Sequence, residues 1–214
     1  MINEDIKVFR PFGPTVAKLI IPNNIIQVLN KYIDETIQDE KKITNLDHGS
    51  KLAGNVKQEF RLENEFVKNS GLLNFLAVST AKWIEMSERK KIKNFNVSAS
   101  WIVRQFENEY NPLHHHGGHI SGVGYLKLPK SFGENFQKNK TNNYNGKIAL
   151  VHGSQMFNCN AMFNIQPKVG DFYFFPNYLL HTVYPFYNSD EERRSISFNA
   201  TIDDSIYNTY NTYG

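Results

Sequence analysis

Two periodicities divide the chain. The first twenty residues alternate, with Ile6-Lys7-Val8-Phe9 and Val16-Ala17-Lys18-Leu19-Ile20 on either side of a Pro-Phe-Gly-Pro turn at 11–14, a pattern that predicts paired strands. From 23 to about 40 the period lengthens. Ile25, Leu29, Tyr32, Ile33 and Ile37 recur at helical spacing, after a Pro22-Asn23-Asn24 start whose short polar side chain suits a capping position. The charged run Asp39 to Lys42 reads as the solvated end of that helix. Residues 44–62 hold Gly49 and Gly54 without a period and read as a loop. A second helix is expected over about 71–88, with Leu72, Phe75, Leu76, Ser79, Trp83 and Met86 on one face. The Arg89-Lys90-Lys91 cluster after it complements the helix dipole.

From residue 94 the period shortens to two. Runs at 96–106, 120–128, 147–152, 161–165, 172–175, 181–185 and 195–202 predict strands, and the Asn-rich stretch 130–145 predicts a surface loop. Strands that follow helices predict a mostly β fold with N-terminal helices, an antiparallel sandwich or barrel supported on one side. The expected organisation is one domain over 1–214, with helical support at about 20–90 and the β core at about 94–202. A composition of 40% hydrophobic and 14% aromatic residues is enough for a sizeable core. The net charge of +3 is too small to point to nucleic acid. A single cysteine, Cys159, excludes a disulfide scaffold and fits a reducing compartment. No apolar run reaches the length of a membrane span, and Met1 to Arg10 carries no signal-peptide core. The expectation is a cytoplasmic protein with no membrane partner.

The chemistry concentrates in Asn-Pro-Leu-His-His-His-Gly-Gly-His, which puts His114, His115, His116 and His119 in one short window. Neutral imidazole is a metal ligand near physiological pH. On an extended segment residues i and i+2 share a side, so His114 and His116 can present two nitrogens to one ion while His115 points away. A register that pairs His115 with Gly117 remains open, as does a ligand role for His119. A third donor must come from elsewhere, and His181, at the start of His-Thr-Val-Tyr-Pro, is the candidate. Two close ligands and a distant third match the facial arrangement that leaves metal positions open, with His where a carboxylate usually stands. In Arg193-Arg194-Ser195-Ile196-Ser197-Phe198-Asn199, alternation puts Arg193, Ser195 and Ser197 on one face and Arg194, Ile196 and Phe198 on the other. A guanidinium with a hydroxyl two residues on suits a carboxylate. Arg194 reads as a surface ion-pair residue beside Glu191 and Glu192, and Trp101 as core.

Five elements in this order resemble the Fe(II)- and 2-oxoglutarate-dependent oxygenases: His-x-His, Ser-Gly-Val-x-Tyr-Leu at 121–126, Gly-Asp-Phe-Tyr-Phe-Phe-Pro at 170–176, His181 with Val183 and Pro185, and Arg-x-Ser-Ile-Ser-Phe-Asn. The likeness is greatest to the small phage and bacterial branch related to prolyl hydroxylases, which Leu52-Ala53-Gly54-Asn55 also resembles. The resemblance implies a double-stranded β-helix (jelly roll, cupin-like) with Fe(II) at one open end. It implies His114, His116 and His181 as metal ligands, and Arg193, Ser195 and Tyr125 as the groups that hold 2-oxoglutarate. The partners implied are 2-oxoglutarate, dioxygen and a primary substrate such as a peptide, hydroxylated at a C–H bond as 2-oxoglutarate is decarboxylated to succinate. For phage-encoded members the compartment is the host cytoplasm. A three-His cupin-type metalloenzyme that does not use 2-oxoglutarate, and a catalytically inactive jelly-roll binding module, are the alternatives.

Overall fold

The structure, a computed structural model, describes residues 6–9 and 13–208. Residues 11 and 12 of the turn expected at 11–14, and the end of the tail after Asn208, lie outside the described residues. The N-terminal hairpin forms as β1 (Lys7–Phe9) and β2 (Val16–Ile20), paired antiparallel. Helix α1 (Asn23–Ile37) buries Ile25, Ile26, Leu29, Tyr32 and Ile33. Its N-cap is Pro22, whose carbonyl accepts from the Ile25 and Ile26 amides, so the expected side-chain cap is absent. The helix also ends before 40. Asp39 accepts a hydrogen bond from the Lys42 amide at 3.0 Å and starts a second helix, α2 (Glu40–Leu46). The charged run is thus an N-terminal cap, where acidic side chains are favoured.

The stretch read as a loop at 44–62 is structured. After α2 come a 3₁₀ turn (Gly49–Lys51) and β3 (Gln58–Arg61), and then α3 (Asn64–Asn69). In β3 Phe60 faces the helices and Glu59 the opposite side; two such positions are too few to register as alternation. Helix α4 (Leu72–Glu88) buries the predicted face except Met86, which is 54% exposed in its last turn. No helix of the described residues is long and apolar enough to cross a membrane.

The β core runs through β4 (Phe95–Gln105), β5 (Asn111–His114), β6 (Ile120–Lys127), β7 (Ile148–Val151), β8 (Met162–Ile165), β9 (Asp171–Pro176), β10 (Leu180–Val183) and β11 (Arg193–Ile202), and α5 (Asp204–Tyr207) follows. One sheet has the order β1-β2-β9-β6-β11-β4-β3 and the other β5-β10-β7-β8, all antiparallel. The helices cover the outer face of the larger sheet through Phe60, Phe75, Trp83, Ile102, Phe172, Phe174, Ile196 and Phe198. On that face β6 carries Gly124, where a Cβ would stand 2.5 Å from the Phe172 ring; the missing side chain lets the aromatic lie against the strand. Between the sheets Val123, Tyr125, Ile148, Leu150, Phe175 and Val183 form a second apolar cluster. This two-sheet jelly roll is a double-stranded β-helix, and one end of the space between its sheets is lined with polar side chains.

Candidate metal centre

His114 closes β5 and His181 lies in β10, directly opposite it in the register. His116 follows β5, its backbone fixed by two hydrogen bonds to Asn177: N–H to the Asn177 carbonyl at 3.1 Å, and the Asn177 amide to its own carbonyl at 3.0 Å. The donor nitrogens of these three rings lie within 4.8 Å of one another, the one such group of metal-binding side chains among the described residues. His114 Nδ1 donates to the Pro112 carbonyl at 2.7 Å and His181 Nδ1 to the Leu179 carbonyl at 2.9 Å, which turns both Nε2 lone pairs inward. The Nε2 atoms of His116 and His181 stand 3.1 Å apart. Two ligands at right angles on one ion, each bonded at ~2.1 Å, would be about 3 Å apart.

Burial, reinforced by the neighbouring imidazoles, lowers His116 to about 4 and His181 to about 3, and burial also lowers His114. All three are therefore neutral near pH 7, the state that binds a cation. His115 is exposed and outside the set. His119 faces elsewhere: its Nδ1 accepts from the Ile202 amide at 3.1 Å and its ring stacks on Tyr207 at 4.0 Å.

The second half of the cavity holds a buried cation. Arg193 is 1% exposed and Tyr125 fully buried, with the guanidinium 5.1 Å from the phenol ring. Arg193 donates from Nη1 to Gln105 Oε1 at 2.6 Å, and Gln105 is itself held by the Glu109 and Tyr184 carbonyls. Arg193 and Tyr125 lie against each other, but Arg193 Nε and Nη2 and the Tyr125 hydroxyl meet full hydrogen-bond geometry with no group among the described residues. Burial pushes the guanidinium down and the phenol up, so each is worst off in its charged form without a counterion. Ser195, opposite Tyr125 in the register, and Ser197 line the same wall. An unpaired buried cation costs several kcal/mol, so this pocket fits a carboxylate as the three imidazoles fit a metal.

Three residues of the cavity were not singled out from sequence as site residues. Trp101, read as core, is 3% exposed and also lines the cavity, its indole edge-on to His116 at 5.5 Å. Glu59 and Asn111 complete the wall beside Leu52 and Ala53. Burial pushes the Glu59 carboxyl up to about 7. The signal for Glu59 lay in Phe60 and Leu62, whose spacing turns residue 59 to the face away from the helices. Arg194 is not a surface residue: it is 2% exposed and donates to Asn30 Oδ1 at 2.9 Å, to Asp34 at 2.8 Å and to Glu192.

Residues 99–199 match the model of a family described as 2OG-Fe(II) oxygenase. No curated protein sequence matches the chain. Among solved structures it is similar to a viral collagen prolyl hydroxylase from Paramecium bursaria Chlorella virus-1 in complex with 2OG (TM-score 0.55, 15% identity, 86% of this chain and 94% of that one). It is also similar to a Pseudomonas putida prolyl-4-hydroxylase (0.52, 12%, 87% and 91%). A third is HygX from Streptomyces hygroscopicus with nickel, 2-oxoglutarate and hygromycin B bound (0.54, 12%, 86% and 82%). At these identities the structural likeness speaks for the fold, and the family match, which spans both the histidine cluster and Arg193, speaks for the chemistry. Over residues 99–199, a little under half of its length, the chain is similar to the 2OG-Fe(II) oxygenases, enzymes whose cofactors are Fe(II) and 2-oxoglutarate.

Proposed function

We propose that the protein is a dioxygenase that hydroxylates a C–H bond of the kind a prolyl or other peptide residue presents, with decarboxylation of 2-oxoglutarate to succinate. In this reading His114, His116 and His181 hold Fe(II), and Arg193, with Ser195 and Tyr125, grips the distal carboxylate of 2-oxoglutarate. The observation that carries it is Arg193, a buried guanidinium with no carboxylate partner among the described residues, in the cavity that also holds the three imidazoles. Prolyl hydroxylases of the same fold support the substrate class.

Bound iron and 2-oxoglutarate supply the oxidising power drawn from dioxygen. The chain's own residues bind and orient. Gln105 fixes the guanidinium plane, so the co-substrate meets pre-aligned donors. The Pro112 and Leu179 carbonyls fix the imidazole tautomers. Val103, Val123, Ile148, Phe175 and Val183 supply an apolar lining that keeps water from the reacting centre. Arg193 binds and orients and transfers no proton.

The absence of a carboxylate among the three clustered donors favours one second reading, a three-His metalloenzyme that binds its substrate directly and does not use 2-oxoglutarate. One experiment separates the two. Under anaerobic conditions, the melting temperature is expected to rise with Mn(II) and rise again with 2-oxoglutarate, and the second rise should vanish in Arg193→Ala. A metal-dependent rise with no response to 2-oxoglutarate would favour the direct-binding enzyme. Mass spectrometry for +16 Da products on peptides then tests the substrate class.

A further inference from the structure

Glu59 lines the cavity but has no place in the roles assigned above. It stands on β3, at one edge of the larger sheet, opposite Val103, which faces Ser195, which faces Tyr125. Residues directly opposite in antiparallel strands share a face, so one row runs from Glu59 to Tyr125, which lies against Arg193. Two strand spacings put the Glu59 backbone roughly 10 Å from that of Ser195. The residue is 2% exposed; its one polar side-chain neighbour is the neutral amide of Asn111, and neither carboxylate oxygen meets full hydrogen-bond geometry among the described residues.

The chain around Glu59 is fixed. Its carbonyl accepts from the His48 amide at 2.9 Å, and a reciprocal pair of backbone hydrogen bonds between Asn55 and Tyr110 ties down the end of the segment Leu52–Gly54. A Cβ on Gly54 would stand 2.8 Å from both Glu59 Oε1 and Asn111 Nδ2. Glycine there gives the carboxylate and the amide room against the backbone.

A buried carboxylate with only a neutral amide beside it has no counter-charge, and here the missing group is a cation. The charges that reach Glu59 from the protein are the carboxylates of Asp47 and Glu109, which have its own sign. The Trp101 indole lines the same cavity, and an aromatic face also attracts cations. Glu59 is not part of the metal-binding group, which comprises the three imidazoles.

Building on the oxygenase reading, we propose that Glu59 selects the primary substrate by accepting hydrogen bonds from a protonated nitrogen, the ammonium or guanidinium of a basic side chain or amine. The cation anchors on β3 and brings a C–H bond of the same molecule to the metal end of the cavity.

N-Methylguanidinium and N-methylurea have nearly the same shape and differ in charge, so they serve as probes. Each is titrated under argon into protein loaded with Mn(II) and 2-oxoglutarate, and broadening of the probe's methyl resonance by Mn(II) reports binding near the metal. In the wild type the guanidinium should reach half-effect at a concentration at least tenfold below that of the urea. Glu59→Gln should raise the guanidinium value about tenfold, or ~1.4 kcal/mol, and leave the urea within twofold. Equal binding of the two probes to the wild type overturns the proposal, and that arm needs no variant. An unchanged guanidinium value in Glu59→Gln overturns it as well. Stabilisation by 2-oxoglutarate is measured separately on the same samples, and its absence would count against the oxygenase reading instead.

Discussion

Replacing Glu59 by Gln should make the metal-free protein more stable at neutral and alkaline pH and change it little in acid. The carboxyl ordinarily titrates near 4.5, and burial raises it to about 7 in the folded state. A group with a raised folded pKa leaves stability intact below 4.5 and reduces it as pH climbs towards 7. A shift of roughly 2.5 units at 1.36 kcal/mol each amounts to about 3 kcal/mol, lost mostly between pH 4.5 and 7 and flat above 8. Gln keeps the shape and removes the titration. The two proteins should have nearly equal stability at pH 4 and differ by about 3 kcal/mol at pH 8. For a chain of this length that corresponds to roughly 6–12 °C in melting temperature. Urea unfolding of EDTA-treated protein from pH 4 to 9 measures it. Parallel stability curves for the two proteins across that range would refute the assignment of Glu59 as a buried, uncompensated carboxyl.

Arg193→Met swaps an unpaired buried cation for an apolar side chain, so without 2-oxoglutarate the protein should be unchanged or gain about 1–4 kcal/mol. The stabilisation of about 2.7 kcal/mol that a ligand gives at a hundred times its Kd should disappear for 2-oxoglutarate, as melting curves with Mn(II) will show. Gly54→Ala should cost about 1–3 kcal/mol by forcing its methyl against Glu59 and Asn111. Much of that loss should return in the double variant with Glu59→Ala, read by a double-mutant cycle of denaturant midpoints. Glu192 is 5% exposed and bonds Arg104, Arg194 and Lys127. Its burial is outweighed by these cations, which hold it below the usual carboxylate range. Glu192→Gln should cost about 3–5 kcal/mol at pH 7. The deficit relative to wild type should shrink as pH falls through the depressed pKa of Glu192, because the wild type then loses the same charge.

The strands of the β core are legible because each has one apolar and one polar face, or two apolar ones. In β11 the alternation of Ser195 and Ser197 with Ile196 and Phe198 separates cavity from helix packing, and the register bears this out. Phe172–Phe175 is aromatic throughout because it is covered on both sides. The stretch at 44–62 was not legible. A seven-residue helix, a 3₁₀ turn and a four-residue edge strand give no window long enough for a period, and the cap at Asp39 looks like part of a charged run. Arg194 was misread for another reason. Its partners Asn30 and Asp34 lie 164 and 160 residues away, and the neighbouring glutamates suggested a solvent-side pair. The histidine window limits the candidates to four, alternation along an extended segment points to His114 and His116, and the cluster with His181 contains those two and neither His115 nor His119.

The cavity is assembled from two separate lengths of chain. The clustered imidazoles and Arg193 come from the stretch that matches the oxygenase family, and Leu52, Ala53 and Glu59 come from a short excursion ahead of it that joins the sheet as its last strand. An edge strand has one neighbour to satisfy, so this excursion can be exchanged without breaking the ladder that carries the catalytic groups. On the proposal made for Glu59, such a layout separates the choice of molecule from the means of oxidising it. Grafting alternative 48–61 segments onto an unchanged scaffold is therefore a direct way to redirect the enzyme towards new substrates.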